Sequence, residues 1–178
     1  MYATGRAPNT GNLGLENTGV KVNEGKAIIV NAHYRSSVPS IHAIGDVIDR
    51  VQLTPVAIAE GIALANTLFN NNPMQVDYSG IPTCIFSQPA LATVGLNEQQ
   101  ARAQYGDVAV YKTRFRPMHL SLSEHEEQTF IKLIVDKKTG RVVGAHMLGA
   151  EAGETIQGIA IALKAGATKA IFDSTIGI

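Results

Sequence analysis

The sequence TFIKLIVDKKTGRVVGAHML, residues 129–148, is the most informative segment of the chain. Two runs rich in apolar and β-branched residues, 129–135 and 141–148, flank the polar turn 136–140, which ends in glycine. This spacing is typical of a β-hairpin, in which a short loop joins two antiparallel strands. We therefore predict an antiparallel sheet built around this hairpin.

The segments on both sides of the hairpin predict more strands and two helices. Further strand-like runs occupy residues 83–86, 91–94 and 108–115. Asn97 is a good N-cap for a helix ending near Tyr105. A second helix, predicted to be buried, runs from Glu151 to Ala165, with Gly166 as its C-terminal stop. Together these elements predict a compact α+β domain over residues 80–178.

The first part of the chain has a different pattern. Residues up to about Asn23 are rich in Gly, Asn and Thr, which indicates loops. Short strands are predicted at 27–30 and 40–44. Thr54 is predicted as the N-cap of a helix that runs to Phe69, with Pro55 at its first turn. Because this helix is apolar nearly all round, we expect it to be buried.

The segment Asn70–Pro73 is the best candidate for a linker, because polar turn residues accumulate there after a long apolar helix. We place a domain boundary between residues 70 and 80, which gives domains at 1–75 and 80–178. The sequence contains no internal repeat.

Composition narrows the class of protein. Lys+Arg and Asp+Glu are 15 each, so the zero net charge gives no argument for a nucleic-acid or membrane partner. No apolar run approaches the ~18–20 residues that span a bilayer, and residues 1–6 do not have the apolar stretch that is typical of a signal peptide. Cys84 is the single cysteine, so no disulfide can form within the chain. We expect a cytoplasmic protein.

Two features are candidates for ligand chemistry. Gly45-Asp46 follows a predicted strand, where ligands bind in open α/β sheets, and its carboxylate can accept hydrogen bonds from sugar-like hydroxyls. The helix start at Thr54 offers free backbone N–H groups and a positive dipole end. Each alone is more consistent with an ordinary turn or helix start than with a ligand site. The two together, at a spacing of eight residues, indicate a nucleotide site.

The other reactive residues predict no site. The histidines have no metal-ligand spacing, and we predict no metal; they are His33, His42, His119, His125 and His146. Cys84 lies in an apolar run, where an inert thiol is usual. Arg114 and Arg116 are typical of a solvated strand edge. Neither a GxGxxG motif nor a P-loop nor a GxSxG motif is present.

The order of the motifs resembles the pyridine nucleotide-disulfide oxidoreductases, and within them the glutathione reductases, over essentially the whole chain. The matching segments are 3–9 (end of the NADPH domain), 41–46 (second FAD fingerprint), 53–61 (flavin helix), 81–89 (start of the dimerisation domain), 158–168 and 172–178 (last helix and exit). The resemblance implies the end of a doubly wound α/β FAD/NAD(P)-binding domain, followed by an α+β dimerisation domain.

The resemblance also implies two cofactors, FAD and NADPH. Asp46 would bind the ribityl hydroxyls or the adjoining pyrophosphate region of FAD. Thr54 would present its backbone N–H to the pyrimidine edge of the flavin, where the helix dipole stabilises negative charge. The NADPH side would be lined by Gly5, Arg6, Gln52 and Cys84.

Departures from the family pattern limit what this chain is expected to do. The family's redox CxxxxC and glycine-rich motifs are absent, and the sequence ends before the family's catalytic His-Pro, so the resemblance implies a C-terminal fragment without catalytic residues. Ile62 replaces the Arg that pairs with a glutathione carboxylate, and isoleucine cannot make that pair. Glutathione disulfide is the expected substrate, and a trypanothione-like disulfide stays open.

Three hypotheses follow for the function. The first is a reductase that passes electrons from NADPH through FAD and an enzyme disulfide to a substrate disulfide. The second is a non-catalytic dimerisation module. The third, dihydrolipoamide dehydrogenase or mercuric reductase, is disfavoured by the segments 53–55 and 114–118. A homodimer is expected, with its interface on the apolar helix at Ile156, Ile159, Ala160 and Leu163.

Overall fold

The structure, a computed structural model, describes residues 4–177, in two compact units, one ending at Asp77 and the other beginning at Tyr78. Ala3, where the first family-like segment begins, and Ile178, where the last one ends, lie outside the described residues. Among residues 4–177, no helix is both long enough and apolar enough to cross a membrane.

A five-stranded antiparallel sheet with order β1-β2-β5-β4-β3 forms the second unit. Its strands are β1 (Thr83–Ile85), β2 (Leu91–Gly95), β3 (Val108–Phe115), β4 (Thr129–Asp136) and β5 (Val142–Leu148). The predicted hairpin is confirmed as β4–β5, with Leu133 opposite Ala145. Both of its strands are interior to the sheet, which explains why their sequences are the most continuously apolar.

The hairpin turn is stabilised by Asp136, whose side chain is buried. Its carboxylate accepts hydrogen bonds from the Thr139 hydroxyl at 2.5 Å and from the Lys138 backbone N–H at 3.1 Å. These bonds, the Thr139 hydroxyl first, hold the pKa of Asp136 below its usual value. Gly140, with φ +72°, completes the reversal by donating to the Asp136 carbonyl.

The helices of the second unit are α2 (Glu98–Tyr105), α3 (Ala152–Lys164) and α4 (Lys169–Ser174). Asn97 caps α2 as predicted, and with Gln100 it forms a reciprocal capping box. Gly166 ends α3 as predicted: its N–H donates to Leu163, and the Ala167 N–H donates to Ala162, the pattern of a Schellman motif.

Helix α3 packs on the sheet through the residues that the sequence assigned to a dimer interface. Ile156 is 1% exposed and Ala160 7%, while Ile159 and Leu163 are partly buried against the same cluster. The interface assignment is therefore wrong for Ile156 and Ala160, which form the core with Ala92, Val94, Ala145 and Met147. For the partly exposed Ile159 and Leu163 it stays a prediction. The opposite face of α3 exposes Ile161, so the helix is amphipathic rather than buried.

Residues 4–77 form one long helix, α1 (Thr54–Phe69), and two 3-10 helices, at Leu15–Asn17 and Gly45–Ile48. The strands predicted at 27–30 and 40–44 are wrong: each makes only one isolated bridge, Val22–Ile28 and Arg35–His42.

The reason for this difference is local backbone geometry. Lys26 and Tyr34 adopt left-handed conformations, with φ +67° and +61°. These residues turn the chain before a second ladder step can form, because left-handed residues break an extended strand.

The expectation that α1 is buried all round is also wrong for the described residues. Its buried side chains are Val56, Glu60 and Ala63, which lie on one face. Ile58 and Ile62 on another face are 58% and 54% exposed. Within the first unit only one face of the helix has apolar side chains to pack against, and Ala63 joins a cluster around the buried Tyr34.

Candidate functional site

The turn at Gly45-Asp46 begins a 3-10 helix rather than closing a strand. Ile44 before it is extended, and Gly45 has φ +71°. A Cβ added to Gly45 would lie 3.1 Å from the Ala57 Cβ, so only glycine lets the turn lie this close to α1. The Asp46 side chain that follows is exposed and available to a ligand.

Helix α1 begins at Thr54, and Leu53, not Thr54, is its N-cap residue. No side-chain cap is present, so the prediction of a capping Thr54 hydroxyl is wrong, while proline does lie in the first turn. The N–H groups of Val56 and Ala57 both donate to the Leu53 carbonyl. Among the described residues, the exposed Thr54 N–H has no hydrogen-bond acceptor, which leaves it available to a ligand.

Glu60 links these two features, and the sequence interpretation did not identify it. Its side chain is 1% exposed, and its Oε2 accepts a hydrogen bond from the Gly45 N–H at 2.6 Å. The available indication was that Glu60 is the single charged residue in α1. A buried carboxylate requires hydrogen-bond donors, and a turn packed against the helix supplies one.

Arg6 lies beside Asp46, with Nη1 3.8 Å from Oδ2. Both side chains are mostly exposed, 77% and 52%, so this ion pair contributes little to stability. Gly5, its neighbour, has φ +121° and open space around it. The structure therefore brings together a residue predicted for NADPH and one predicted for FAD.

The remaining predicted residues are distributed over both units. Gln52 donates to the Asp49 carboxylate at 2.7 Å rather than contacting Asp46 or Thr54. Ile62 is exposed on α1. Cys84 lies in the second unit, on β1, as a half-buried free thiol that packs against the α3 core beside Gly153.

The histidines and arginines singled out in the sequence have local partners or open surroundings. Burial lowers the pKa of His146, whose Nε2 lies 3.2 Å from the Leu96 carbonyl oxygen. Arg116 donates to the carbonyls of Leu120 and Ser123, and Arg114 lies on the edge strand β3. Within residues 4–177, no cluster of three or more His, Cys, Asp or Glu side chains could hold a metal ion.

Glu98, at the start of α2, forms ion pairs with two basic side chains. It accepts from Lys132 on β4 at 2.8 Å and from Arg102 at 2.8 Å. The hydrogen bond from Lys132, followed by that from Arg102, lowers the pKa of Glu98 to about 2. This cluster attaches α2 to the sheet.

Comparisons with known proteins assign both parts of the chain to one family. Residues 81–178 match the model of the pyridine nucleotide-disulphide oxidoreductase dimerisation domain, and residues 1–61 match that of pyridine nucleotide-disulphide oxidoreductases. The whole chain is 54% identical to a chloroplastic/mitochondrial glutathione reductase of Pisum sativum. It is 50% identical to the glutathione reductase of Burkholderia cepacia and, over a 190-residue alignment, to that of Nostoc.

A solved structure gives the same relationship in three dimensions. The HOCl-induced flavoprotein disulfide reductase RclA from Escherichia coli superposes with a TM-score of 0.89 at 29% identity, covering 99% of this chain and 41% of RclA. The chain spans 32%, 40% and 41% of the lengths of the pea, Burkholderia and Nostoc relatives.

Proposed function

The chain belongs to the pyridine nucleotide-disulphide oxidoreductases, and we propose that it is part of an FAD- and NADPH-dependent disulfide reductase of the glutathione reductase type. The observation that carries this proposal is identity of 50–54% to glutathione reductases along all 178 residues. The proposal concerns the protein to which the chain contributes, since these residues span well under half of each relative.

The flavin site is proposed at Asp46 and Thr54. An exposed carboxylate accepts hydrogen bonds from hydroxyls, and an unengaged N–H at a helix N-terminus donates to an electron-rich ligand edge. These two groups fit the ribityl and pyrimidine parts of FAD. FAD, when bound, supplies two-electron transfer from NADPH to a disulfide. The Thr54 end of α1 stabilises the negative charge that accompanies reduction.

The NADPH side is proposed to include Gly5, Arg6, Gln52 and Cys84. Arg6 is the permanently charged residue among these four, and its exposed guanidinium is suited to bind a phosphate oxygen. Its pairing with Asp46 is weak enough to yield to a ligand. Cys84 is the single cysteine of these 178 residues, so no dithiol pair can form within them.

A homodimer is proposed because residues 81–178 match a dimerisation domain. The α3 core residues are unavailable for it, so the contact must use other surfaces of the second unit. Exposed apolar side chains suitable for burial are Phe86, Ile161, Ile171 and Ile176. The alternative of a non-catalytic dimerisation module predicts the same association without flavin, and sedimentation equilibrium together with flavin absorbance distinguishes the two.

Glutathione disulfide is the proposed substrate, and a trypanothione-like disulfide is the second candidate because of Ile62. This side chain is 54% exposed on α1 and offers no charge to a carboxylate. A cytoplasmic location is also proposed, although the name of the pea relative places that protein in chloroplasts and mitochondria.

The test uses the full-length gene product that contains this chain. We expect bound FAD and NADPH-dependent reduction of glutathione disulfide, and Ile62→Arg should raise kcat/KM for glutathione disulfide relative to trypanothione disulfide. The 178-residue chain alone should bind flavin weakly and show the no-enzyme rate, with Cys84→Ser as its control. A full-length protein without flavin, or one inactive on both disulfides, would contradict the proposal.

A further inference from the structure

We propose that Glu60 is a positioning residue that fixes the Gly45-Asp46 turn against α1. Through this turn it holds the Asp46 carboxylate at a set position relative to the Thr54 N–H. The inference rests on the proposed function, because FAD is the ligand that these two groups would hold together.

The burial of Glu60 needs a reason beyond helix formation. Its side chain is 1% exposed in a helix whose other 15 residues are uncharged. Alanine has a higher helix propensity, and a carboxylate withdrawn from water is unfavourable unless donors surround it. A leucine or alanine here would satisfy the helix without withdrawing a charge from water. The carboxylate is therefore explained by what it binds.

One partner of Glu60 is the backbone of the turn. Oε2 lies 2.6 Å from the Gly45 nitrogen, a short, charge-assisted hydrogen bond across 15 positions of sequence. The same glycine approaches Ala57, where an added Cβ would come within 3.1 Å. Two contacts with successive turns of α1, one polar and one steric, thus hold a single residue of the turn.

Among residues 4–177, the Asp46 side chain has no buried partner of this kind. It is exposed and pairs with Arg6 at 3.8 Å, with both side chains mostly in solvent. Its position therefore follows from the backbone of Gly45, which Glu60 holds. Thr54 begins the helix that carries Glu60, so one buried hydrogen bond connects the two groups proposed to bind flavin. Glu60, being buried, acts through the turn and does not contact the ligand.

The test compares three variants of the full-length flavoprotein. Glu60→Gln keeps an oxygen acceptor for the Gly45 N–H, Glu60→Ala removes it, and Val56→Ala truncates another buried residue of α1 while leaving the Glu60 carboxylate in place. We expect Glu60→Ala to weaken FAD binding about tenfold or more. Glu60→Gln should retain most of the affinity, and Val56→Ala should lower stability without lowering flavin affinity to the same extent.

A second measurement separates this inference from the proposed function. In the 178-residue chain, amide hydrogen exchange of Gly45 should be slow in the wild type and faster in Glu60→Ala. If the wild-type full-length protein holds no flavin, the proposed function fails, and Gly45 exchange still decides whether Glu60 holds the turn. Unchanged Gly45 exchange in Glu60→Ala, or equal loss of flavin affinity in Glu60→Ala and Val56→Ala, overturns the inference.

Discussion

In the second unit, five antiparallel strands and helices α2 and α3 bury two apolar clusters, whereas in the first unit one long helix lies against loops. The strands of the second unit share continuous ladders, and those predicted for the first are reduced to single bridges. The first unit nevertheless carries most of the proposed cofactor residues. Its geometry therefore depends on a few specific contacts, and that of the second on distributed packing.

The largest expected difference between the units is in amide hydrogen exchange. Amides of β4 and β5 lie in interior strands with ladders on both sides, while residues 7–53 are mostly loops and turns. We expect the strand amides to exchange at least about a hundredfold more slowly, because local opening of loops needs less free energy. Mass spectrometry or NMR measures this in the 178-residue chain. Equal protection of the amides in both regions would contradict the expected difference in local stability.

Core truncation in the second unit should give the largest mutational effect. Ile156 is 1% exposed in the cluster under α3, and Ile156→Ala should lower the free energy of unfolding by about 2–5 kcal/mol. Gln157 on the same helix is exposed, so Gln157→Ala should change it by less than about 0.5 kcal/mol. Urea unfolding monitored by circular dichroism checks both, and similar losses would show that α3 does not pack as described.

The first unit should be most sensitive at one glycine. Gly45→Ala combines a left-handed backbone, φ +71°, with a Cβ placed 3.1 Å from Ala57. Gly19→Ala is the matched control, since Gly19 has φ +77° and nothing within 4 Å. The left-handed backbone should lower the free energy of unfolding by about 1–2 kcal/mol in both variants. Gly45→Ala should lower it further, because its Cβ also meets Ala57. Thermal unfolding measures both variants, and equal losses of stability would show that the contact between Gly45 and Ala57 does not stabilise the fold.

The smallest predicted effect concerns the charged cluster on α2. The pKa of Glu98 is about 2 in the folded chain, below its ordinary value of 4.5, so its contribution to stability is full above 4.5. That contribution is lost as the pH falls from about 4.5 to about 2. Lys132→Met removes the main cause, and NMR titration should show the Glu98 pKa rising towards 4.5.

The same substitution at Lys137 is the control for this titration, because Lys137 pairs with the exposed Asp107 and not with Glu98. Lys137→Met should leave the Glu98 pKa in place. Lys132→Met should also make the free energy of unfolding fall less steeply between about pH 4.5 and 2. The reason is that folding then favours the ionised form of Glu98 less strongly. An unchanged Glu98 pKa in Lys132→Met would assign the shift to Arg102 alone.

Sequence patterns succeeded where structure is local or periodic. The β4–β5 hairpin, the Asn97 cap and the Gly166 stop are all confirmed, because strand alternation and cap chemistry act over a few residues. The resemblance to the pyridine nucleotide-disulphide oxidoreductases is also confirmed by both family models. The roles of Asp46, Thr54 and the NADPH-side residues stay predictions.

Sequence patterns failed to predict burial where it depends on which element packs against a helix face. Apolar composition alone predicted that α1 is buried all round and that Ile156 and Ala160 form an interface, yet Ile58 is exposed and Ile156 is core. An apolar helix face has the same sequence whether it meets its own sheet or another subunit, so periodicity cannot distinguish the two. The prediction of short strands in the first unit failed because strand propensity does not reveal the left-handed conformations of Lys26 and Tyr34.

The sequence by itself determined the family, the antiparallel sheet and the ends of α2 and α3, because these follow from motif order and from interactions between neighbours in the chain. Only the tertiary structure decided which face of each helix is buried and which distant groups meet. Glu60 shows this most clearly, since its bond to Gly45 joins residues 15 positions apart. Such a contact depends on how the turn packs against α1, and no local pattern of residues encodes that distance.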